Sequence, residues 1–167
     1  MKLLFQTAFL ISIFLFTGNE AFSQKKKLSY CDSAGIMPVF KFYSTSGALF
    51  IPDSLSKNNS TILIYFKTDC PYCAKEADMI SENINSFPSV DFIFLSREDT
   101  TSIKSFALLH KLENNKKVKF LQDKEKLYYR YYTARYTPSI HIYDKNKKLE
   151  LFVENILNKD ELIKYIQ

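Results

Sequence analysis

Apolar positions fall into blocks whose period changes along the chain, and the changes outline the elements. Behind Lys2, Leu3 to Phe16 is an almost unbroken apolar run that stops at Gly18, and Ala21-Phe22-Ser23 places small residues at two alternate positions, Ala21 and Ser23. That layout is a secretory signal peptide, residues 1–23, with cleavage expected after Ser23 and Gln24 as the new N-terminus. A membrane span needs about 20 apolar residues, more than this run supplies, which argues for cleavage rather than retention as an anchor. Residues 24–37 are polar and basic and read as a flexible lead-in. Residues 38–167 then read as one domain.

Within that domain, Val39 to Tyr43 and Ala48 to Ile51 suggest short strands around the turn Ser44-Thr45-Ser46-Gly47. Thr61 to Phe66 is a continuous β-branched and apolar run, as in a strand covered on both faces. Pro71 stands where a helix tolerates proline, at its first position. Cys73, Ala77, Ile80, Ile84 and Phe87 follow at helical spacing and form one apolar stripe, which Pro88 ends. Val90 to Leu95 is a second buried strand, Thr101 to Lys111 a helix with Ile103, Phe106, Ala107 and His110 on one face, and Val118 to Leu121 a short strand. Asp123 to Tyr132 suggests a tyrosine-rich helix. Ser139 to Tyr143 and Lys148 to Val153 read as a hairpin around Asp144–Lys147. Asn158 followed by Glu161 marks a last helix. This order, β-α-β units first and a hairpin plus helix last, predicts an α/β fold: a mixed central sheet flanked by helices, with an N-terminal extension.

Composition adds two constraints. Apolar residues make up 46% and charged residues 25%, as in an ordinary globular protein, and 15 Phe with 11 Tyr can fill a sizeable core. The formal net charge of +5 is unchanged by losing residues 1–23, which carry Lys2 and Glu20. The basic residues are scattered among acids, so the charge reads as solvated surface, and export argues against nucleic-acid binding. Three cysteines, Cys31, Cys70 and Cys73, are too few for a disulfide-stapled scaffold, and the chain is long enough to need none. Cysteine here reads as chemistry.

Cys70-Pro71-Tyr72-Cys73 follows an apolar strand and opens a helix. Cys70 at the helix start meets unpaired backbone N–H groups and the positive end of the dipole, both of which favour a thiolate. Cys73, about one turn on, lies on the buried stripe. One exposed, activated sulfur and one shielded sulfur suit a nucleophile and a resolving thiol, hence thiol–disulfide exchange with no cofactor and no metal. Pro71 stiffens the turn, and Tyr72 offers either an aromatic rim for a partner or packing. Asp69 opposes thiolate formation, whereas Lys67 and Lys75 favour it. Thr137-Pro138 precedes a strand, and its bond is a candidate for the cis form.

Phe66-Lys67-Thr68-Asp69-Cys70-Pro71-Tyr72-Cys73 resembles the active-site strand, loop and helix start of thioredoxin-like proteins. Tyr136 to Asp144 resembles their later Thr-Pro segment, and Glu76 is similar to a glutamate of the exported TlpA-like branch. The resemblance covers roughly residues 38 to 167. It implies a thioredoxin-like fold, a cis Pro138 packed beside Cys70 and Cys73, and backbone at Thr137 that pairs with an extended substrate segment. It also implies protein disulfide or dithiol substrates and an upstream redox partner, while the cleavable signal peptide predicts a periplasmic or secreted location without stable membrane insertion. Three positions depart from the family. Asp69 replaces an aromatic residue. Ile64 stands where cytosolic thioredoxins have a buried acid, leaving proton transfer to Glu76 or water. Pro71-Tyr72 is the dipeptide of glutaredoxins.

Other residues have two readings each. Cys31 is either an incidental thiol or a resolving or cross-linking one. His110 reads as a core histidine. His141 reads as sheet packing, or as a group that approaches the redox pair. Tyr128, Tyr129, Tyr131, Tyr132 and Tyr136 either pack a helix and its rim or form a partner-binding patch. Two rival functions remain at this stage: a copper or zinc carrier using Cys70, Cys73 and His141, and a non-catalytic binding module in which Cys70–Cys73 is only structural.

Overall fold

The computed structural model of the chain describes residues 35–39, 41–132 and 134–166. The expected signal peptide, most of the lead-in and Cys31 lie outside them. In chain order the elements are β1 (Phe42–Ser44), β2 (Leu49–Phe50), β3 (Ser60–Tyr65), α1 (Pro71–Glu82), β4 (Val90–Ser96), α2 (Thr100–Leu109), β5 (Val118–Gln122), α3 (Tyr128–Tyr131), β6 (Ser139–Tyr143), β7 (Leu149–Val153) and α4 (Lys159–Lys164).

The seven strands form one sheet in the order β2-β1-β5-β4-β3-β6-β7. The pairs β3–β4 and β4–β5 are parallel, while β3–β6, β6–β7, β1–β5 and β1–β2 are antiparallel. The sheet is therefore mixed, and the β1–β2 hairpin extends one edge beyond the β-α-β units. Gly47, at φ +87° in the left-handed region, closes that hairpin and donates its N–H to Ser44 O at 2.9 Å.

Strand alternation sorts the apolar side chains onto two faces. Ile62, Ile64, Phe66, Phe92, Phe94, Ile140 and Ile142 pack with Cys73, Ala77 and Ile80 of α1, Ile103 and Phe106 of α2, and Leu162 of α4. Leu63, Tyr65, Ile93, Leu95 and Tyr143 pack on the other face with Tyr128, Tyr132, Leu55 and Met37. Both β3 and β4 are buried along their whole lengths, so the unbroken apolar runs are the strands covered twice. Each fully buried aliphatic or aromatic side chain contributes about 1.5–3 kcal/mol relative to exposure.

Two elements are shorter than their sequence pattern. Helix α1 stops at Glu82, where Asn83 Nδ2 donates to Met79 O at 2.8 Å, and a 3-10 turn over Ile84–Ser86 follows. Phe87 still reaches the core from beyond the helix. The tyrosine-rich segment is helical only over Tyr128–Tyr131. The cause is Asp123, whose carboxylate accepts the N–H groups of Leu127 at 2.7 Å and Tyr128 at 2.9 Å. Lys126 takes a positive φ of 54° in between, so residues 123–127 make a turn. Helix α4 starts as expected, with a reciprocal capping box between Asn158 and Glu161. Among the described residues, no helix is long and apolar enough to cross a membrane.

Candidate active site

The site begins where β3 ends. Phe66 is fully buried, packs its ring 4.6 Å from Phe106 and also meets Phe94 and Phe120. Its N–H continues the parallel ladder by donating to Leu95 O at 2.9 Å. That anchor fixes the root of the loop 67–69. Thr68 N–H donates to Glu98 Oε2 at 2.8 Å, which ties the same loop to the end of β4.

Cys70 is the N-cap of α1 and Pro71 its first residue. The Cys70 sulfur accepts the N–H of Cys73 at 3.2 Å, so an otherwise unpaired donor of the first turn points at sulfur. Cys70 and Cys73 form a disulfide pair with Cα atoms 5.2 Å apart. The two residues differ in environment as one turn of an amphipathic helix dictates: Cys70 is half-buried, and Cys73 is 1% exposed within the core.

The second strand of the site arrives through the sheet. In the β3–β6 pair Tyr65 is opposite Ser139, so the residues following β3 meet those preceding β6. Pro138 is buried, and the Thr137–Pro138 bond is cis, as the resemblance implies. Thr137 O lies 3.5 Å from the Cys70 sulfur. The Ser139 hydroxyl donates to Tyr136 O and tightens the turn.

Glu76 follows Cys73 by three residues, on the same buried side of α1. Its Oε2 accepts the N–H of Leu157 at 2.9 Å, and its Oε1 is buried without a hydrogen-bond partner among the described residues. Burial raises its carboxyl from the ordinary 4.5 to about 7. The Leu157 N–H pulls the other way, and nearby Glu161 adds to the rise.

A family model of the thioredoxin-like domain matches residues 53–167. The chain belongs to the thioredoxin-like family. The match takes in the cysteine pair and Pro138 and leaves the β1–β2 hairpin outside it. A secreted Mycobacterium tuberculosis disulfide oxidoreductase homologous to E. coli DsbE is similar at 26% identity, over 75% of this chain and 92% of that one, with a TM-score of 0.63. StoA from Bacillus subtilis has the same fold at 17% identity, covering 78% and 98% of the two chains with a TM-score of 0.59. So does a putative protein disulfide isomerase from Bacteroides thetaiotaomicron, at 18% identity, 77% and 82% coverage and a TM-score of 0.62. None of the curated protein sequences matches this chain.

Around this thioredoxin-like centre the other expected residues divide. Pro71 and Tyr72 are exposed beside the pair, Tyr72 at 57%. Lys75 places its ammonium 5.6 Å from the centre of the Tyr72 ring, so its charge is spent partly on that ring. Thr137 is half-buried and Asp69 exposed. His141 is fully buried on the opposite sheet face from Cys73, its ring 4.1 Å from Tyr132 and 4.2 Å from Phe152. Sheet packing is its role, and it does not complete a metal set with the cysteines. His110 is a core histidine whose Nδ1 is 2.6 Å from Asp78 Oδ1. Tyr65 and Tyr128 stack at 3.9 Å behind the sheet, and Tyr132 and Tyr143 join hydroxyls at 2.9 Å. Tyr129 and Tyr136 stay exposed at the rim.

Sequence reasoning missed Glu98, Glu154 and the backbone of Leu157. Glu154 Oε1 accepts the N–H groups of both Arg135 and Tyr136, just before Thr137. None of the three carries a local motif; their partners lie at least 18 residues away.

Proposed function

We propose that this thiol–disulfide oxidoreductase works outside the cytoplasm, reducing or exchanging disulfides of protein substrates with Cys70 as the attacking sulfur and Cys73 as the resolving one. The carrying observation is the asymmetry of the pair. The Cys70 sulfur sits at the tip of a 12-residue helix, partly open and beside Thr137 O, whereas Cys73 is shut in the core.

The chemistry balances without any further group. The Cys70 thiolate attacks one sulfur of a substrate disulfide. A Cys70–substrate disulfide forms, the substrate S–S bond breaks, and the departing sulfur takes up a proton. Cys73 then gives up its proton and attacks the Cys70 sulfur. The mixed disulfide breaks, the second substrate thiol leaves, and the Cys70–Cys73 disulfide remains. The substrate gains two electrons, and an upstream dithiol partner returns them to the pair. Glu76, with its carboxyl near neutrality, supports the reading that it accepts the Cys73 proton.

For substrate recognition, the family resemblance and the nearness of Thr137 O to the Cys70 sulfur support one arrangement. An extended substrate segment pairs with backbone at Thr137, Pro138 packs beside the sulfurs, and Pro71 and Tyr72 form the rim. Export rests on the signal-like residues 1–23, with support from the secreted relative. The deciding experiment is insulin reduction with dithiothreitol. Wild type should outpace Cys70→Ala clearly; equal rates would overturn the activity. A reduction potential measured against glutathione mixtures then sets the direction of exchange.

A further inference from the structure

We infer that Glu154 is a positioning residue for substrate capture, its carboxylate fixing the backbone of Arg135 and Tyr136 and thereby the Thr137–Pro138 segment that faces Cys70. The inference rests on the proposed function, since it assigns Glu154 to the recognition step of that same site.

Ahead of β6 the chain runs through residues 134–138 without regular secondary structure, and Arg135 and Tyr136 are exposed there. Such a segment has no ladder to hold it. Glu154 supplies the hold. It is the first residue after β7, and β7 pairs with β6 so that Val153 is opposite Ile140. The chain direction of β7 therefore carries Glu154 back over the residues that precede β6. There Oε1 accepts from Arg135 N–H and, at 3.1 Å, from Tyr136 N–H. Two backbone donors on one carboxylate make a charge-assisted fork, stronger than neutral hydrogen bonds.

The same connection is tied at its other end. Three residues on, Leu157 N–H donates to Glu76 Oε2 on the redox helix. Residues 154–157 thus strap the recognition segment to α1 from outside the site. If the strap is cut at Glu154, the segment must be ordered when substrate arrives, and that entropy is charged against binding. The sulfur chemistry, which depends on the α1 tip, is left in place. Glu154 acts through the 135–138 backbone.

The test compares Glu154→Ala and Glu154→Gln with wild type in the full chain. Initial rates over a range of insulin concentrations give KM and kcat, and iodoacetamide reports the Cys70 thiolate directly. Amide hydrogen exchange reports Arg135 and Tyr136. For Glu154→Ala, KM should rise roughly five- to tenfold with kcat and the iodoacetamide rate within about twofold, and both amides should exchange about tenfold faster. Glu154→Gln keeps an acceptor oxygen and should fall between. An unchanged KM in an active Glu154→Ala protein, or unchanged exchange at both amides, overturns the positioning role alone. A parallel fall in the iodoacetamide rate overturns it too, since the damage would then reach the sulfur. Wild type no faster than Cys70→Ala sinks the parent activity first, and the recognition role with it.

Discussion

The Cys70 sulfur lies 3.5 Å from the carbonyl oxygen of Thr137, a residue 67 positions away in the chain. The antiparallel register that sets Tyr65 against Ser139 makes this contact, because it brings the loop leaving β3 onto the segment entering β6. A sulfur at a helix tip and an available backbone carbonyl thereby share one spot on the surface. Under the proposed function, a disulfide held in an extended peptide meets both together.

If Cys73 is the resolving thiol, Cys73→Ser should halt the reaction at the mixed disulfide. Mass spectrometry after exposure to an oxidised peptide should find a stable covalent adduct on Cys70. In Cys70→Ser almost none should form on Cys73, because that sulfur is 1% exposed. Equal adduct formation by both variants would reverse the assignment.

Glu76 should make stability depend on pH in an unusual direction. Its carboxyl is raised by burial from 4.5 to about 7, so between those values the folded state holds a proton that the unfolded state has released. The stabilisation is fully present below about pH 4.5 and is lost as pH rises through 7, on the order of 3 kcal/mol at most. Urea unfolding of wild type and Glu76→Gln at pH 5 and pH 8 checks this. The variant should gain on wild type at pH 8. The resolving step, followed by stopped flow, should lose its inflection near pH 7 in the same variant.

Phe66→Ala should cost about 3–5 kcal/mol, since it empties a fully buried site between Phe94, Phe106 and Phe120. Thermal unfolding measures the loss. The same cavity lies at the root of the loop that carries Cys70, so the iodoacetamide rate of Cys70 should also change. A stability loss below about 1 kcal/mol would mean that the aromatic cluster closes over the gap.

Asp123→Ala removes the acceptor for the N–H groups of Leu127 and Tyr128, the latter buried. Stranded donors of this kind cost about 1–3 kcal/mol each. Urea unfolding should show a loss of about 1–3 kcal/mol, set by the buried Tyr128 N–H. Near-ultraviolet circular dichroism should show the Tyr65–Tyr128 stack loosened, since that ring is seated by the turn.

Much of the layout was legible before any contact was known. The doubly covered strands at 60–66 and 90–96, the helix opened by Pro71, the closing hairpin and the Asn158 capping box are all written in short-range terms. Hydrophobic period, a proline at a tolerated position and a capping pair act over a few residues, and local sequence reports them directly. The exposure difference between Cys70 and Cys73 belongs here too, because one helical turn separates rim from core. Tertiary structure decided the rest. It put His141 on the face of the sheet opposite Cys73 and paired β1 with β5. It also gave Glu76 its backbone partner at Leu157 and Glu154 its grip on Arg135 and Tyr136. Each of these depends on the register of strands distant in sequence, and a one-residue slip of that register would send every side chain to the other face. No window of a few residues encodes such a choice; the packing of the whole sheet makes it.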